Sequence, residues 1–558
     1  MRKPYRFSFL FIHLLVQFDQ AILNIRRVIN SVRKHQYSKE CLELVFSKTR
    51  GSNDNRIHKA PESKMILLDY FPFPHWLALS SMTANLLKEK TGGSIRAFGF
   101  IKPFRNTKDL YEAFGVKKHL QISLGFTKIA EFSKLYNQVC SSITNPEDVF
   151  NLEIDKINLG IPIYESILRS GKITVRIDEI ETYIQIYRGL MEYMFFKDLF
   201  SEGRIEAVIV SHDCYIGPGL LDHMAHRFGV PSINVNPFEI NLPYEPGQLY
   251  KRFQRYPEYF LALEEEKRVE GVALAKTDLE LRLSGKIGIK MANQEKSAFE
   301  SNRLKRQLED TANVKVLVAA HDFYDNPQAY GEMLFHDFSI WLEYLNQVAN
   351  ETTYDWYLKC HKDSSLQQLL EIEEFSRSHP RFKVVDPSVS FHQLAQEGLD
   401  FVLTCYGSVG HELPLLGINV LNSSFNPHIA YDFNLHAKNL DNYRELILNL
   451  EELRDRKISD LEIYEFFYVH NYLMWPDNFI FPSYLGFMKI IENNIQSDAA
   501  LIYIAKNYED IEERLHNRLV EALKDRRVFS VERILESRHQ LKHPISAMNR
   551  LVFDKFSN

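Results

Sequence analysis

The sequence predicts an α/β protein built from two halves, each a parallel sheet with helices on both faces, with helical additions at either end. Short apolar, β-branched runs alternate with segments of helical periodicity, the rhythm of β-α-β units and hence of parallel sheets. The runs form two series, one starting at Met65 and one at Val314, separated by a charged stretch at 264–309 that has no strong strand. In both series polar residues follow directly on the strands, where open parallel sheets hold ligands. Two such halves predict a cleft between them.

Composition sets the outer bounds. A chain of 558 residues is too long for one ordinary domain, and 45% hydrophobic with 25% charged residues is a globular balance. The net charge of -6 gives no general case for nucleic-acid binding, so a small-molecule or polymer substrate is expected. Cys41, Cys140, Cys214, Cys360 and Cys405 are scattered and lack C-x-x-C pairing, which suits a reducing cytosol and supplies no metal or disulfide framework. The aromatic share, 13%, fits a carbohydrate-facing cleft and fits a large core equally well.

In chain order, residues 1–63 read as a basic helical segment. Arg2, Lys3 and Arg6 precede an apolar run from Phe7 to Val16, and Arg26, Arg27, Arg33 and Lys34 follow. The run is about half the ~20 residues a spanning helix needs, and no small-residue cleavage site follows it. Two readings stand: an amphipathic helix of residues 1–35 on an anionic membrane surface, or a helix packed on the body.

The first α/β domain is expected at 64–263. Its strands are Met65 to Asp69, Ile95 to Ile101, Ala207 to Ser211 and Pro231 to Val235, with helices near 77–90, 176–202 and 220–228 and a mixed helical pattern at 107–136. After the connector at 264–309, a second domain at 310–480 begins with Val314 to Ala320. It continues through Trp356 to Cys360, Phe382 to Val385, Phe401 to Thr404 and Ile418 to Leu421. Phe335, Phe338, Trp341, Leu342, Leu345 and Val348 recur at three- and four-residue steps and mark an amphipathic helix. Residues 481–558 form a helical region whose stripe Ile511, Leu515, Leu519 and Leu523 suits either a helix returning over the body or a homodimer contact.

The stretch at 400–422 concentrates the chemistry. A buried strand leads into Tyr406-Gly407-Ser408-Val409-Gly410, then a helix closed by Gly417, then another strand. Glycines at 407 and 410 let backbone N–H groups approach a phosphate, Ser408 adds a hydroxyl, and Glu412 is placed to accept from a sugar or ribose hydroxyl. The plainer reading is a tight turn with a helix cap. His321, Lys359 and His361 sit in or just after strands of the same half, with Lys359 and His361 suited to a phosphate. In the first half, Asp69, His75, Glu165, His212 and Asp213 are the polar supply. His212 or Asp213 is the expected catalytic base toward an acceptor hydroxyl, with a loop-capping pair as the plainer reading. No metal-ligand spacing and no G-x-S-x-G elbow is present.

W-Y-L-K-C-H-K-D at 356–363 and T-C-Y-G-S-V-G-H-E-L-P-L-L-G-I-N-V at 404–420 make the second half resemble the nucleotide-binding domain of GT-B glycosyltransferases. More narrowly, it resembles bacterial capsule-polysaccharide synthesis proteins of the Kdo- and sialic-acid-transferring kind. Lys362 stands where the K-x-H-P element of that group has proline, and Ser408 is a single serine where two neighbouring hydroxyl residues are often found. The resemblance implies two Rossmann-like domains in a GT-B-like arrangement and metal-independent transfer. The donor would lie in the second domain, the acceptor in the first, and His361 and Ser408 would hold the nucleotide. The expected function is transfer of a sugar from a nucleotide-sugar, a substrate and not a cofactor, to a surface glycan. The expected place is the cytoplasm, peripherally on the inner face of the plasma membrane. A teichoic-acid-type polyol-phosphate transferase, a nucleotide-sugar 2-epimerase and a non-catalytic scaffold of a polysaccharide assembly complex are the alternatives.

Overall fold

The computed structural model describes residues 7–31, 37–53, 64–70, 73–100, 105–236, 240–243, 248–286, 297–300, 304–328, 330–473, 487 and 498–525. Arg2, Lys3, Arg6, Arg33 and Lys34, residues 54–63 and the chain beyond Asp525 lie outside them. The chain divides into two compact units. Unit 1 comprises 1–170, 175–249 and 475–536, and unit 2 comprises 171–174, 250–474 and 537–558.

Unit 1 is built on a sheet of β1 (Met65–Leu68), β2 (Ser94–Gly99), β3 (Lys118–Gln121), β6 (Ile205–Val210), β7 (Ser232–Val235) and β8 (Ile240–Asn241), in the order β3-β2-β1-β6-β7-β8. A small antiparallel hairpin, β4 (Glu153–Ile154) with β5 (Ile157–Asn158), stands apart from it. All neighbours in the sheet are parallel except β7 and β8. The central strands read as unbroken apolar runs because helices cover both faces: Met65 to Leu68 is buried throughout, as is Ala207 to Val210. One face packs on helices Pro74–Thr91, Lys39–Asn53, Asp498–Lys506 and Tyr508–Asp525 through Leu79, Met82, Ile504, Ile511, Leu515 and Leu519. The other packs on helices Ile129–Ser142, Gly160–Arg169, Ile180–Ser201 and Leu220–Arg227. The helical stretches at both ends of the sequence are therefore part of unit 1's core.

Strand β3 corrects the expected helical pattern at 107–136. Its sequence, Lys-His-Leu-Gln, is polar because it is the sheet's edge, so it carries no apolar run to recognise. Helices Arg105–Ala113 and Ile129–Ser142 flank it.

Unit 2 repeats the plan. Strands β9 (Lys315–Ala319), β10 (Asp355–Lys359), β11 (Phe382–Val384), β12 (Phe401–Thr404), β13 (Asn419–Asn422) and β14 (Leu435–His436) are all parallel, in the order β11-β10-β9-β12-β13-β14. Asp337, Ser365, Ser390, Asn439 and Ser459 each open a helix by accepting a backbone N–H of its first turn, and the first three of these fix where crossover helices begin. The expected connector contributes helix Glu265–Leu283, which packs within unit 2 on helix Asp460–Tyr468. Gly271 brings the two together, since a Cβ there would meet the Tyr468 ring at 2.6 Å.

Counted within each unit, both strand orders are 3-2-1-4-5-6, the doubly wound order in which ligands bind where the order reverses. That point lies beyond β1 and β6 in unit 1 and beyond β9 and β12 in unit 2. Among the described residues no helix is long and apolar enough to cross a membrane.

Candidate functional site

In unit 2 the turn after β12 sets the site. Gly407 has φ +124°, a left-handed conformation that side chains rarely adopt, so the chain turns sharply there and brings Ser408 off the sheet edge. The helix that follows is a single α-turn, Val409–Glu412, continued as a 3₁₀ turn at Pro414–Leu416 and ended by Gly417 at φ +77°. One turn is too short to act as a phosphate-binding dipole, so the expected role of a helix N-terminus is not met; side chains have to supply the charge.

Gly407 and Ser408 line a cavity of about 160 Å³ together with Arg282, Tyr330, His411, Pro427, His428, Phe466, Phe467, His470 and Asn471. The cavity joins a guanidinium, a hydroxyl, three imidazoles and three aromatic rings. Arg282, on helix Glu265–Leu283, donates from Nε to Glu412 Oε1 at 2.7 Å, and its Nη2 donates to the same oxygen. Glu412 is only 2% exposed and Arg282 13%, so this is a buried ion pair. Glu412 therefore does not line the cavity as a hydroxyl acceptor; it orients Arg282, which does line it.

The other expected donor-site residues lie elsewhere. Gly410 makes room for a ring: a Cβ there would meet His428 Cε1 at 2.5 Å and Nδ1 at 2.7 Å. His321 is stacked on Phe338 at 4.9 Å and set against Tyr406 at 4.4 Å. Its Nε2 bonds Thr404 Oγ1 at 3.0 Å, so it braces the turn leaving β12. Burial holds its imidazole down at about 4. Lys359 is buried, donates from Nζ to Pro387 O at 2.8 Å and lies 5.2 Å from the centre of the Phe391 ring. Burial lowers its ammonium to about 8. Its position corrects the expectation of a phosphate partner, because the side chain is spent on a loop carbonyl. His361 is half exposed, accepts the Asp363 N–H at 3.2 Å and lies outside the cavity lining.

In unit 1 the same point of the sheet gathers Asp69, Ser211 and His212. Asp69 follows β1 and is buried; its Oδ2 accepts from Ser211 N at 3.2 Å and from the Ser211 hydroxyl. Ser211 Oγ lies 2.9 Å from His212 Nδ1. With its proton committed to Asp69, the hydroxyl accepts from His212, which fixes the Nδ1–H tautomer and leaves Nε2 as the basic nitrogen. The imidazole stacks on Trp76, centroids 5.5 Å apart at 10°. Burial lowers it to about 4, with the Arg169 charge adding, and burial raises Asp69 to about 6. Asp213 is half-buried in the same loop, and Tyr215, two residues on, holds a strained φ of +67°. His75 and Glu165 are buried.

A larger cavity in unit 1, about 370 Å³, is lined by Met65, Arg96, Lys128, Asp198 and Arg204 among others. Met65 and Arg204 lie at the start of β1 and just before β6, the end of the sheet opposite Asp69 and His212. Among the described residues no group of three or more His, Cys, Asp or Glu is arranged to hold a metal.

Both sheets thus reverse their strand order beneath a cluster of polar residues. The fold is GT-B-like in its make-up: two Rossmann-like units in one chain. No family model matches the sequence, and no curated protein matches it. Among solved structures, the chain is similar to Thermosulfurimonas dismutans KpsC, described as a beta Kdo 2,4 transferase, at 13% identity over 47% of this chain and 79% of that one, with a TM-score of 0.28. It is similar to a Neisseria meningitidis UDP-GlcNAc 2-epimerase bound to UDP-GlcNAc at 10% identity, 73% and 98% coverage and a TM-score of 0.23. A Rickettsia africae glycosyltransferase matches at 10% identity, 81% and 99% coverage and a TM-score of 0.24.

Sequence reasoning missed Arg282, His411, His428, Phe466 and His470. Arg282 has no local signal, since it reaches the site from a helix 130 residues away in the chain. His428 does have one: it follows β13 in Asn426-Pro427-His428, a polar strand end of the kind that drew attention to His321 and His361.

Proposed function

We propose that the chain is a metal-independent glycosyltransferase that moves a sugar from a nucleotide-sugar to a surface glycan at the inner face of a membrane. The observation that carries this reading is the unit 2 cavity, where Ser408 at the strand-order reversal meets a guanidinium and aromatic walls. Arg282 suits a diphosphate, the rings of Tyr330, Phe466 and Phe467 suit a base or sugar face, and Ser408 suits a phosphate oxygen. His212, held as the Nδ1–H tautomer, is the base toward the acceptor hydroxyl, and Asp213 is its neighbour in that loop.

A thermal-shift panel of CMP, CDP, UDP, GDP and ADP tests the donor site on the wild type and on Ser408→Ala. A nucleotide at about 100 times its Kd stabilises by about 2.7 kcal/mol. One nucleotide is expected to shift the wild type and to shift the variant less. No shift by any of the five removes the donor site and favours the scaffold.

The membrane part of the reading is supported by helix Phe9–Ser31. Ile12 and Val16 bury one face in unit 1, with Asp19 paired to Arg188 at 2.8 Å, while Leu10, Phe11, Leu14, Phe18 and Ile25 are exposed. At 3.6 residues per turn the exposed five fall within about 100° of one another. The sequence around them is basic, which complements anionic lipid. The wild type is expected to co-sediment with phosphatidylglycerol vesicles and the double variant Leu14→Glu, Phe18→Glu to stay in solution. Equal sedimentation of the two would sink the membrane contact.

A further inference from the structure

The histidines of the unit 2 cavity form an ordered chain whose proton positions follow from the groups at its far end. Asn426 is fully buried, and its Nδ2 donates to Ser424 O at 2.8 Å, so its oxygen faces the other way. That oxygen accepts from His428 N at 2.9 Å and lies 3.1 Å from His428 Nδ1. An amide oxygen only accepts, so His428 carries its proton on Nδ1 and Nε2 is left as an acceptor. His411 Nδ1 lies 3.1 Å from that Nε2 and donates to it. The proton of His411 is therefore on Nδ1 as well.

Its Nε2 carries a lone pair and takes no hydrogen bond among the described residues, and the ring lines the cavity. We infer that His411 Nε2 is the cavity's acceptor for a hydroxyl or N–H group of the bound nucleotide, and that His428 and Asn426 are positioning residues that fix its tautomer. The inference rests on the donor-site reading above and adds a polarity to it: Arg282 gives hydrogen bonds to the ligand's anionic part, and His411 takes one from a neutral part.

The surroundings keep the relay neutral. Burial depresses both imidazoles well below the usual histidine range. For His411 the Arg282 and His470 charges add to this, and for His428 those of His411, His436 and His470. Glu412, the nearby carboxylate, is occupied by Arg282. Phe466 packs against both rings, at 5.3 Å from His411 and 4.5 Å from His428, which limits their freedom to turn.

Two conservative variants separate the two nitrogens of His411. A glutamine at this position places its terminal oxygen where Nε2 stands, keeping the cavity acceptor; an asparagine reaches only the Nδ1 position, keeping the bond to His428. Calorimetric titration with CMP, CDP, UDP, GDP and ADP is expected to give Kd values for His411→Gln within about twofold of the wild type. His411→Asn is expected to be weaker by roughly three- to tenfold, the worth of one neutral hydrogen bond. Imidazole ¹⁵N shifts of the histidine-labelled full chain are expected to report the Nδ1–H tautomer at His411 and to lose it in His428→Leu, but to keep it in His428→Gln. An Nε2–H tautomer in the wild type, or equal affinity for His411→Asn and wild type, overturns this inference alone. Failure of all five nucleotides to bind the wild type overturns the donor-site reading and the inference with it.

Discussion

Replacing His212 with glutamine is expected to lower kcat by about 10²–10⁴, the usual contribution of a positioned base, while leaving nucleotide binding by unit 2 unchanged. The reason is the fixed tautomer: Asp69 takes the Ser211 proton, Ser211 Oγ takes the His212 Nδ1 proton, and Nε2 remains basic. The pH profile follows with a definite sign. His212, depressed to about 4, stays neutral as pH falls until that value is reached, whereas Asp69, raised to about 6, takes up a proton first. The relay therefore weakens below about pH 6 and the base itself is lost near pH 4, so kcat/KM falls across that window and is flat above it. Asp69→Asn is expected to move the start of the fall from about 6 toward 4. An acid limb that stays near 6 in that variant rules out Asp69 as its source, and full activity in His212→Gln rules out the base.

Arg282→Met is expected to cost about 3–5 kcal/mol of unit 2 stability, because it leaves the Glu412 carboxylate buried without its partner. Glu412 is almost wholly inaccessible and sits on the turn that carries Ser408, so the penalty falls on the site as well as on the fold. The double variant Arg282→Met, Glu412→Leu is expected to recover most of the stability and none of the nucleotide affinity, which separates the two roles of the arginine. Urea unfolding followed by the fluorescence of Trp341 and Trp356, both buried in unit 2, reads the stability. A single variant that loses less than about 1 kcal/mol shows that water reaches Glu412. A double variant that still binds nucleotide shows that Arg282 is structural only.

The central strands were legible in the sequence because a parallel sheet buried on both faces needs uninterrupted apolar runs, and Ile66 to Leu68, Ala207 to Val210 and Phe401 to Leu403 are such runs. Of the four edge strands only β11, with Phe382 to Val385, was legible; β3 is polar, and β8 and β14 are two residues long. The turn at Gly407 and Ser408 could be located from its neighbours, since a strand followed by small residues and then a helix has few other meanings. What each residue does there could not. Lys359 and Glu412 carry charges that look available on paper, yet one is held by Pro387 O and the other by Arg282, contacts made by chain segments 28 and 130 residues away. Gly410 was legible as a glycine but not as the seat of His428, because the ring that fills its missing side chain comes from the next loop.

The helices Asp498–Lys506 and Tyr508–Asp525 cover one face of the unit 1 sheet, whereas the strands of unit 2 all come from one continuous stretch of chain. This imposes an order on biosynthesis. As the chain leaves the ribosome, the strands of unit 1 are complete by Asn241, but the cover that Ile504 to Leu519 give to Leu79, Met82 and their neighbours has still to be made. Unit 2, translated in between, has its whole core available first. The half synthesised first is thus the half finished last, and for more than 250 residues of synthesis it presents an apolar face to the cell's chaperones.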